Sequence, residues 1–152
     1  MPIIRSTQGQ GLSRLQNYLD ELNKSKVYVG VTKDSNQREK GEATNALIAY
    51  VHEFGIGVPE RSFMRSTIIE NAEKYRLIQR DNILPAIRNG TLTAEECYRR
   101  LGLVAQGDMQ NKINTGDFKE LDEKTVKRKK SSRPLVDTGA LLQSITYEVK
   151  DA

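Results

Sequence analysis

The sequence feature that most constrains the fold is residues 133–149, where a turn, a helix start and a strand follow one another. Pro134 fixes its own φ, which places a turn before the helix. Asp137 and Thr138 are residue types that cap helix N-termini, and an apolar pair follows them closely. The apolar spacing then changes from helical to alternate, which predicts a strand over residues 145–149. This C-terminal module needs another element of the chain to dock on.

A second strand is predicted nearer the N-terminus. Residues 26–32 alternate valines with Tyr28, Gly30 and Thr32, a β-branched and aromatic pattern that is typical of strands. We expect this strand to lie in one sheet with residues 145–149, each giving the sheet a face of Val or Ile side chains.

Four stretches have the apolar spacing of amphipathic helices, and the first runs from about residue 12 to residue 25. The clearest spans residues 42–54. Its apolar face consists of Ala43, Ala46, Leu47, Tyr50, Val51 and Phe54. Such a face is typical of a helix that packs on a core. Residues 33–41, which precede it, lack apolar side chains and are predicted to form an exposed loop.

The remaining two helices have recognisable boundaries. One is predicted to begin near residues 59–62 and to end or kink around Leu84, because Pro85 interrupts helical hydrogen bonding. Arg88-Asn89-Gly90 then predicts a stop. The other is predicted to begin at Thr93, which forms a capping box with Glu96 three residues later.

This last helix contains two glycines, Gly102 and Gly107, each of which weakens it by about 1 kcal/mol relative to Ala. A glycine there either allows close packing on a neighbour or is a soft spot, and the sequence leaves both open. Cys97 can pack on Leu92 as a hydrophobic staple, which argues for a buried, inert thiol rather than a nucleophile.

Composition indicates one domain whose charge is concentrated in a single run. The 152 residues are 37% hydrophobic and 29% charged, with a net charge of +4. Most of the excess lies at residues 124–133, so charge alone does not imply a nucleic-acid partner. The one cysteine excludes an internal disulfide. Neither a signal peptide nor a membrane-spanning apolar run is recognisable, so we expect folding in a cytoplasm and no membrane partner.

No catalytic, metal-binding or cofactor-binding residue is predicted. His52-Glu53 could begin a metalloprotease motif, but Ile56 stands where the second His belongs, and His52 is the sole histidine. We interpret His52 as flanking the last turn of its helix. Gly55-Ile56-Gly57 lacks a third glycine and is interpreted as a turn rather than a phosphate cradle. The chain is therefore predicted not to be an enzyme.

The basic run is the feature with the most pointed functional interpretation. It comprises Lys127, Arg128, Lys129 and Lys130. These side chains could contact phosphates, which would make binding sensitive to salt, or an acidic protein. We favour an acidic partner or a simple solvated run, because no aromatic side chain lies among them to stack on bases.

Several motifs occur in an order that matches a known family. A helix ending in Phe54-Gly55 leads through a short turn into Pro59-x-Arg61-x-Phe63, with Met64 where Leu is usual; a glycine-containing helix, a basic run and the C-terminal module follow. The matching residues at the two ends are Phe54, Gly55, Pro59, Arg61, Phe63, Pro134, Asp137, Thr138, Gly139, Leu141 and Ile145. Over about residues 26–149 the chain thus resembles the tail-completion family of long-tailed bacteriophages, also described as minor tail, neck or virion-morphogenesis proteins.

The resemblance implies a structural virion protein that forms a ring, typically of six copies, at the head-proximal end of the tail. There it would complete the tail and join it to the head connector. Expected partners are further copies of the chain, the connector or stopper, and the tail terminator or tail tube proteins. Phage DNA would pass through the lumen without sequence-specific binding. The expected location is the neck of the virion, after synthesis in the host cytoplasm. The alternative is a small basic nucleic-acid-binding protein that uses residues 127–130.

The fold that the resemblance implies agrees with the predicted elements. It is α+β, with a small, mostly antiparallel sheet packed by three to four helices, in a single domain over residues 1–152. Residues 1–10 form an N-terminal segment. Residues 115–132 form a long basic arm, which we expect to be disordered in the free monomer and to order on assembly.

Overall fold

A computed structural model describes residues 5–38, 41–90, 92–121, 127, 134–135 and 139–152. Within these residues the chain forms six helices and two strands. Their order is α1 (Arg5–Lys24), β1 (Ser25–Val31), α2 (Asn45–Phe54), α3 (Met64–Glu70), α4 (Ala72–Asn89), α5 (Ala94–Thr115), α6 (Ala140–Ser144) and β2 (Ile145–Asp151). The fold is therefore α+β, as the sequence predicts. Among the described residues, no helix is both long enough and apolar enough to span a membrane.

The two predicted strands pair with each other. β1 and β2 are antiparallel, and Val27 lies opposite Val149 while Val31 lies opposite Ile145. Each strand follows a helix directly, since α1 ends at Lys24 and α6 ends at Ser144. The prediction that the two stretches share one sheet is confirmed. The C-terminal module docks on the N-terminal strand.

Helix α5 is the central element, and the two-stranded sheet packs against it. Its glycines have different roles. A Cβ at Gly102 would lie 2.7 Å from Tyr147 Cγ, so the absence of a side chain lets β2 approach closely. A Cβ at Gly107 would meet no atom within 4 Å. One glycine therefore permits close packing, and the other is a soft spot.

Two hydrophobic clusters lie along α5. The larger one lies beneath the sheet and consists of Ala49, Phe63, Met109, Ile113, Leu135, Leu141 and Ile145. The smaller one joins α1, α4 and the start of α5, and consists of Tyr18, Ala86, Leu92, Ala94 and Cys97. Cys97 is fully buried and accepts a hydrogen bond from the Tyr18 hydroxyl, 2.9 Å away, as expected of a structural thiol. Burial raises the pKa of this thiol, although the bond from Tyr18 acts in the opposite direction.

The helix predicted from residues 59–62 begins later than expected, is divided in two, and does not end at Leu84. The chain stays non-helical until Met64, and Asn71 separates α3 from α4. Helix α4 then continues through Pro85, because Ile83 and Ala86 on either side of it pack in the smaller cluster. Such packing offsets the roughly 3 kcal/mol that an interior proline costs.

Helix ends were predicted better where a specific cap was visible. The left-handed Gly90 ends α4, and the Glu96 amide donates to the Thr93 side chain at 3.1 Å at the start of α5. Helix α2 begins at Asn45 rather than at residue 42, because Thr44 caps it by accepting from the Leu47 amide.

The loop before α2 is held in place rather than free over its described part. The Asn45 amide group donates to the Ser35 carbonyl at 3.1 Å, and its oxygen accepts from Arg38 Nε at 2.6 Å. The Ala46 amide donates to Asn36 Oδ1 at 2.7 Å. The start of α2 therefore holds residues 35–38.

The C-terminal module is partly described. Pro134 lies in a turn, and Gly139, with φ of 79°, precedes α6 without a side-chain cap. Leu141 and Ile145 are buried in the larger cluster. The predicted caps Asp137 and Thr138 lie outside the described residues.

Most of the predicted arm also lies outside the described residues. Its first residue, Thr115, is instead the last residue of α5. Residues 116–121 follow in non-helical conformation, and Phe118 packs against the larger cluster.

Candidate assembly site

The turn between α2 and α3 contains most of the motif residues from the first half of the chain. Gly55 has φ of 67° and ends α2, and a Cβ there would lie 3.0 Å from the backbone nitrogen of Glu60. The Arg61 amide then donates to the His52 carbonyl at 2.8 Å. The chain thus folds back on the last turn of α2, which requires a left-handed and sterically small residue at position 55.

The carboxylate of Glu53 is the central group of this turn. It is 1% exposed and comes from the last turn of α2. It accepts from the amides of Phe63, Met64 and Arg65 at 2.9–3.0 Å. It also accepts from the Ser62 hydroxyl at 2.7 Å. A side chain from one helix therefore satisfies the free N–H groups at the start of the next.

These contacts keep Glu53 ionised despite its burial. Burial alone raises the pKa of the carboxyl group, but hydrogen bonds from the Met64 amide, the Ser62 hydroxyl and Arg65 outweigh it, so the pKa lies below its ordinary value. The positive end of the α3 backbone favours the same charged form.

Arg65 extends this network to the surface. Its Nε donates to Glu53 at 3.0 Å, and its terminal nitrogen donates to Glu60 at 2.9 Å. Its guanidinium carbon lies 4.7 Å from the centre of the Phe54 ring, within cation–π range. Tyr50 packs on the same ring, with centroids 4.9 Å apart. An aromatic pair and an arginine thus form one cluster at the exposed edge of the turn.

Arg61 holds the segment after α5 against this turn. It is 3% exposed, and burial lowers the pKa of its guanidinium. Its Nε donates to the Lys119 carbonyl at 3.1 Å, and another nitrogen lies 3.3 Å from His52 Nδ1. The side chain therefore links α2 to residues that follow α5.

The structure thus divides the motif residues by location. Phe63, Leu141 and Ile145 meet in the larger cluster, although they are far apart in sequence. Gly55 and Arg61 shape the turn, whereas Phe54 and Pro59 are exposed. Of the basic run, Lys127 is exposed. Its other members, Arg128, Lys129 and Lys130, lie outside the described residues.

The apolar face predicted for α2 faces solvent, and this corrects the expectation that it packs on a core. Leu47, Tyr50 and Phe54 are 52%, 52% and 49% exposed. We call these three side chains the outer α2 face. The residues that α2 buries are Asn45, Ala49 and Glu53, a row at spacing four. No exposed position of α2 bears a charge, since Glu53 is buried.

A second apolar surface lies beside this face. The β1–α3 groove has a volume of about 540 Å³ and runs between β1, α3 and α5. Its lining residues are Val27, Val29, Met64, Arg65, Ile68, Ile69, Tyr75, Leu101, Ala105 and Met109. Of the described residues in this lining, Arg65 alone is charged, and it also contacts the outer α2 face through Phe54.

The roles of Asn45 and Glu53 escaped the sequence-based prediction. Both lie on the face of α2 that amphipathic spacing assigns to solvent. Two signals point to them: their common spacing with Ala49, and the absence of Lys, Arg and Asp from the whole helix. A solvent-facing helix surface normally carries such charges.

Within the described part of the chain, no group of three or more His, Cys, Asp or Glu side chains could hold a metal ion. In comparisons with known proteins, no family model, curated protein or solved structure gave a significant match.

Proposed function

We propose that this chain is a structural protein of the bacteriophage neck, which assembles into a ring at the head-proximal end of the tail. It completes the tail and joins it to the head connector. Its surfaces bind copies of itself and neighbouring neck proteins rather than a substrate.

The observation that carries this proposal is the outer α2 face beside the turn of the motif. Leu47, Tyr50 and Phe54 are each about half exposed on a helix without exposed charge. Aromatic and arginine side chains in one cluster are typical of protein–protein contacts. The turn that follows this face, from Phe54 to Phe63, also contains one of the motifs on which the family resemblance rests.

The internal structure of the turn supports an architectural role for the motif. Glu53 and Arg61 satisfy backbone groups of α3 and of residues 119–120, and Phe63 is fully buried. Residues with these roles fix the position of the exposed cluster. Folding of the turn and positioning of the exposed cluster explain the roles of Glu53, Arg61 and Phe63.

The test is to produce phage particles with and without this protein. Without it, we expect complete DNA-filled heads and separate tails that do not join, and addition of the purified protein should restore joining. Cryo-electron microscopy of joined particles should place the chain at the neck. Normal joining in its absence would refute the proposal. Tight, steeply salt-dependent DNA binding by a monomer would favour the basic nucleic-acid-binding alternative instead.

A further inference from the structure

The chain presents two apolar surfaces of opposite shape. The outer α2 face is a ridge, because Leu47, Tyr50 and Phe54 fall at i, i+3 and i+7 of one helix. The β1–α3 groove is concave, with Ile68 and Ile69 of α3 on one wall. A ridge and a groove of the same apolar character can pack against each other.

Charge restricts which surface of a second copy can receive the ridge. The exposed faces of α3, α4 and α5 carry ion pairs, for example Lys74 with Asp108 at 2.7 Å and Lys112 with Glu70 at 2.8 Å. An apolar ridge packed on those faces would remove the charges from water without compensation. Among the described residues that line the groove, the single charge is Arg65, which is already paired with Glu53 and Glu60. Covering the groove therefore leaves no new unpaired charge.

The areas are sufficient for a specific but weak contact. With Ile56, the ridge has four side chains that are each about half exposed. A large apolar side chain has on the order of 150–250 Å² of surface, so the ridge presents roughly 400 Å². A matching contribution from the groove gives roughly 800 Å² of apolar burial, and a polar rim extends it toward the lower limit of standard interfaces.

We propose that the outer α2 face of one copy docks in the β1–α3 groove of a second copy. The proposal rests on the ring assembly proposed above and specifies its subunit contact. When each copy places its ridge in one neighbour and receives the ridge of another, the contact is heterologous, and its repetition forms a closed ring if the rotation between copies closes. Each copy then buries Tyr50 and Phe54 against Ile68 and Ile69 of its neighbour.

Sedimentation velocity on the full-length protein, from about 1 µM to about 1 mM, tests the contact over the range of weak associations. The wild-type chain should associate beyond the monomer. Leu47→Asp on the ridge and Ile69→Asp in the groove should each weaken association at least about tenfold, as expected at the centre of an interface. Both positions are exposed, Ile69 at 74%, so both variants should remain folded. Leu84→Asp on α4, 58% exposed and outside both surfaces, is the matched control and should associate like wild type.

Mixing the two variants provides the sharpest test. The Leu47→Asp chain keeps an intact groove, and the Ile69→Asp chain keeps an intact ridge. The mixture should therefore form one-to-one dimers at concentrations where each variant alone is mostly monomeric. Dimers in the mixture would establish a ridge-to-groove contact between copies.

Three results would overturn the proposal: a wild-type chain that stays monomeric throughout, an Ile69→Asp chain that associates like wild type, or a mixture that forms no dimer. Failure of the proposed function gives a different pattern. If the variants and their mixture behave as expected, but particles join heads to tails without the protein, the contact stands and the neck assignment falls.

Discussion

Helices α2 and α5 both carry apolar stripes, but the described part of the chain covers only that of α5. The stripe of α5 includes Cys97, Ala105, Met109 and Ile113, and all four are buried beneath other elements. The stripe of α2 faces solvent, while the opposite side of that helix buries Asn45, Ala49 and Glu53. An apolar stripe therefore predicts that a helix is covered, but it does not tell whether the cover belongs to the same chain.

The largest expected effect is the difference in stability between a substitution in the α5 stripe and one in the α2 stripe. Met109→Asp places a carboxylate in the larger cluster and should destabilise the fold by more than about 4 kcal/mol, enough to unfold most domains of this size. Leu47→Asp on the outer α2 face should change the free energy of unfolding by no more than about 0.5 kcal/mol. Denaturant titration followed by circular dichroism measures both. If Leu47→Asp also unfolded the protein, the outer α2 face would have an intramolecular cover.

The second effect concerns the polar side of α2. Glu53→Ala leaves the amides of Met64 and Arg65 without their acceptor and should cost about 3–5 kcal/mol, as for a broken buried ionic network. Glu60→Ala removes the exposed partner of the same arginine and should cost less than about 1 kcal/mol. Equal losses in the two variants would mean that the buried carboxylate does not organise the turn.

The pH dependence of this network gives a smaller, directional effect. The pKa of Glu53 is lowered in the folded state, so its stabilisation is fully present above the unfolded pKa and is lost as pH falls through the folded pKa. Wild type should therefore be more stable than Glu53→Gln at pH 7, and the difference should shrink steadily below about pH 4.5. Unfolding curves of both proteins between pH 7 and pH 2 measure the difference. A gap that widens with acid would contradict the lowered pKa.

The smallest effect distinguishes the two glycines of α5. Gly107→Ala should stabilise the helix by about 0.5–1 kcal/mol, because no atom obstructs the added methyl group. Gly102→Ala gains the same helix propensity but pushes against the Tyr147 ring, and overpacking of this kind costs about 1–3 kcal/mol. Thermal unfolding should rank Gly107→Ala above wild type and wild type above Gly102→Ala. Stabilisation by both substitutions would show that β2 does not press on α5 at Gly102.

Much of the fold follows from local patterns in the sequence. Alternation at residues 26–32 and 145–149 predicts the two strands, and the Thr93 cap and Gly90 fix helix ends through chemistry within a few residues. The helix does not end at Pro85, because the energetic cost of the proline is offset by the packing of Ile83 and Ala86. That packing depends on distant parts of the chain.

The candidate site was harder to predict because its parts depend on tertiary contacts. Glu53 caps a helix that starts eleven residues later, at Met64. The burial of Asn45 depends on contacts with a loop that precedes its helix, including one with Arg38, seven residues earlier. Local propensity cannot predict either contact. The exposure of Leu47 could not be read from periodicity, because amphipathic spacing is the same for a core helix and for an interface helix.

The proposed contact places another copy of the chain over the outer α2 face. Cryo-electron microscopy of assembled neck particles at side-chain resolution tests it most directly. We expect a closed ring in which Tyr50 and Phe54 of each copy are buried against Ile68 and Ile69 of its neighbour. A ring in which the outer α2 face remains in contact with solvent, or particles that lack the chain at the neck, would contradict it.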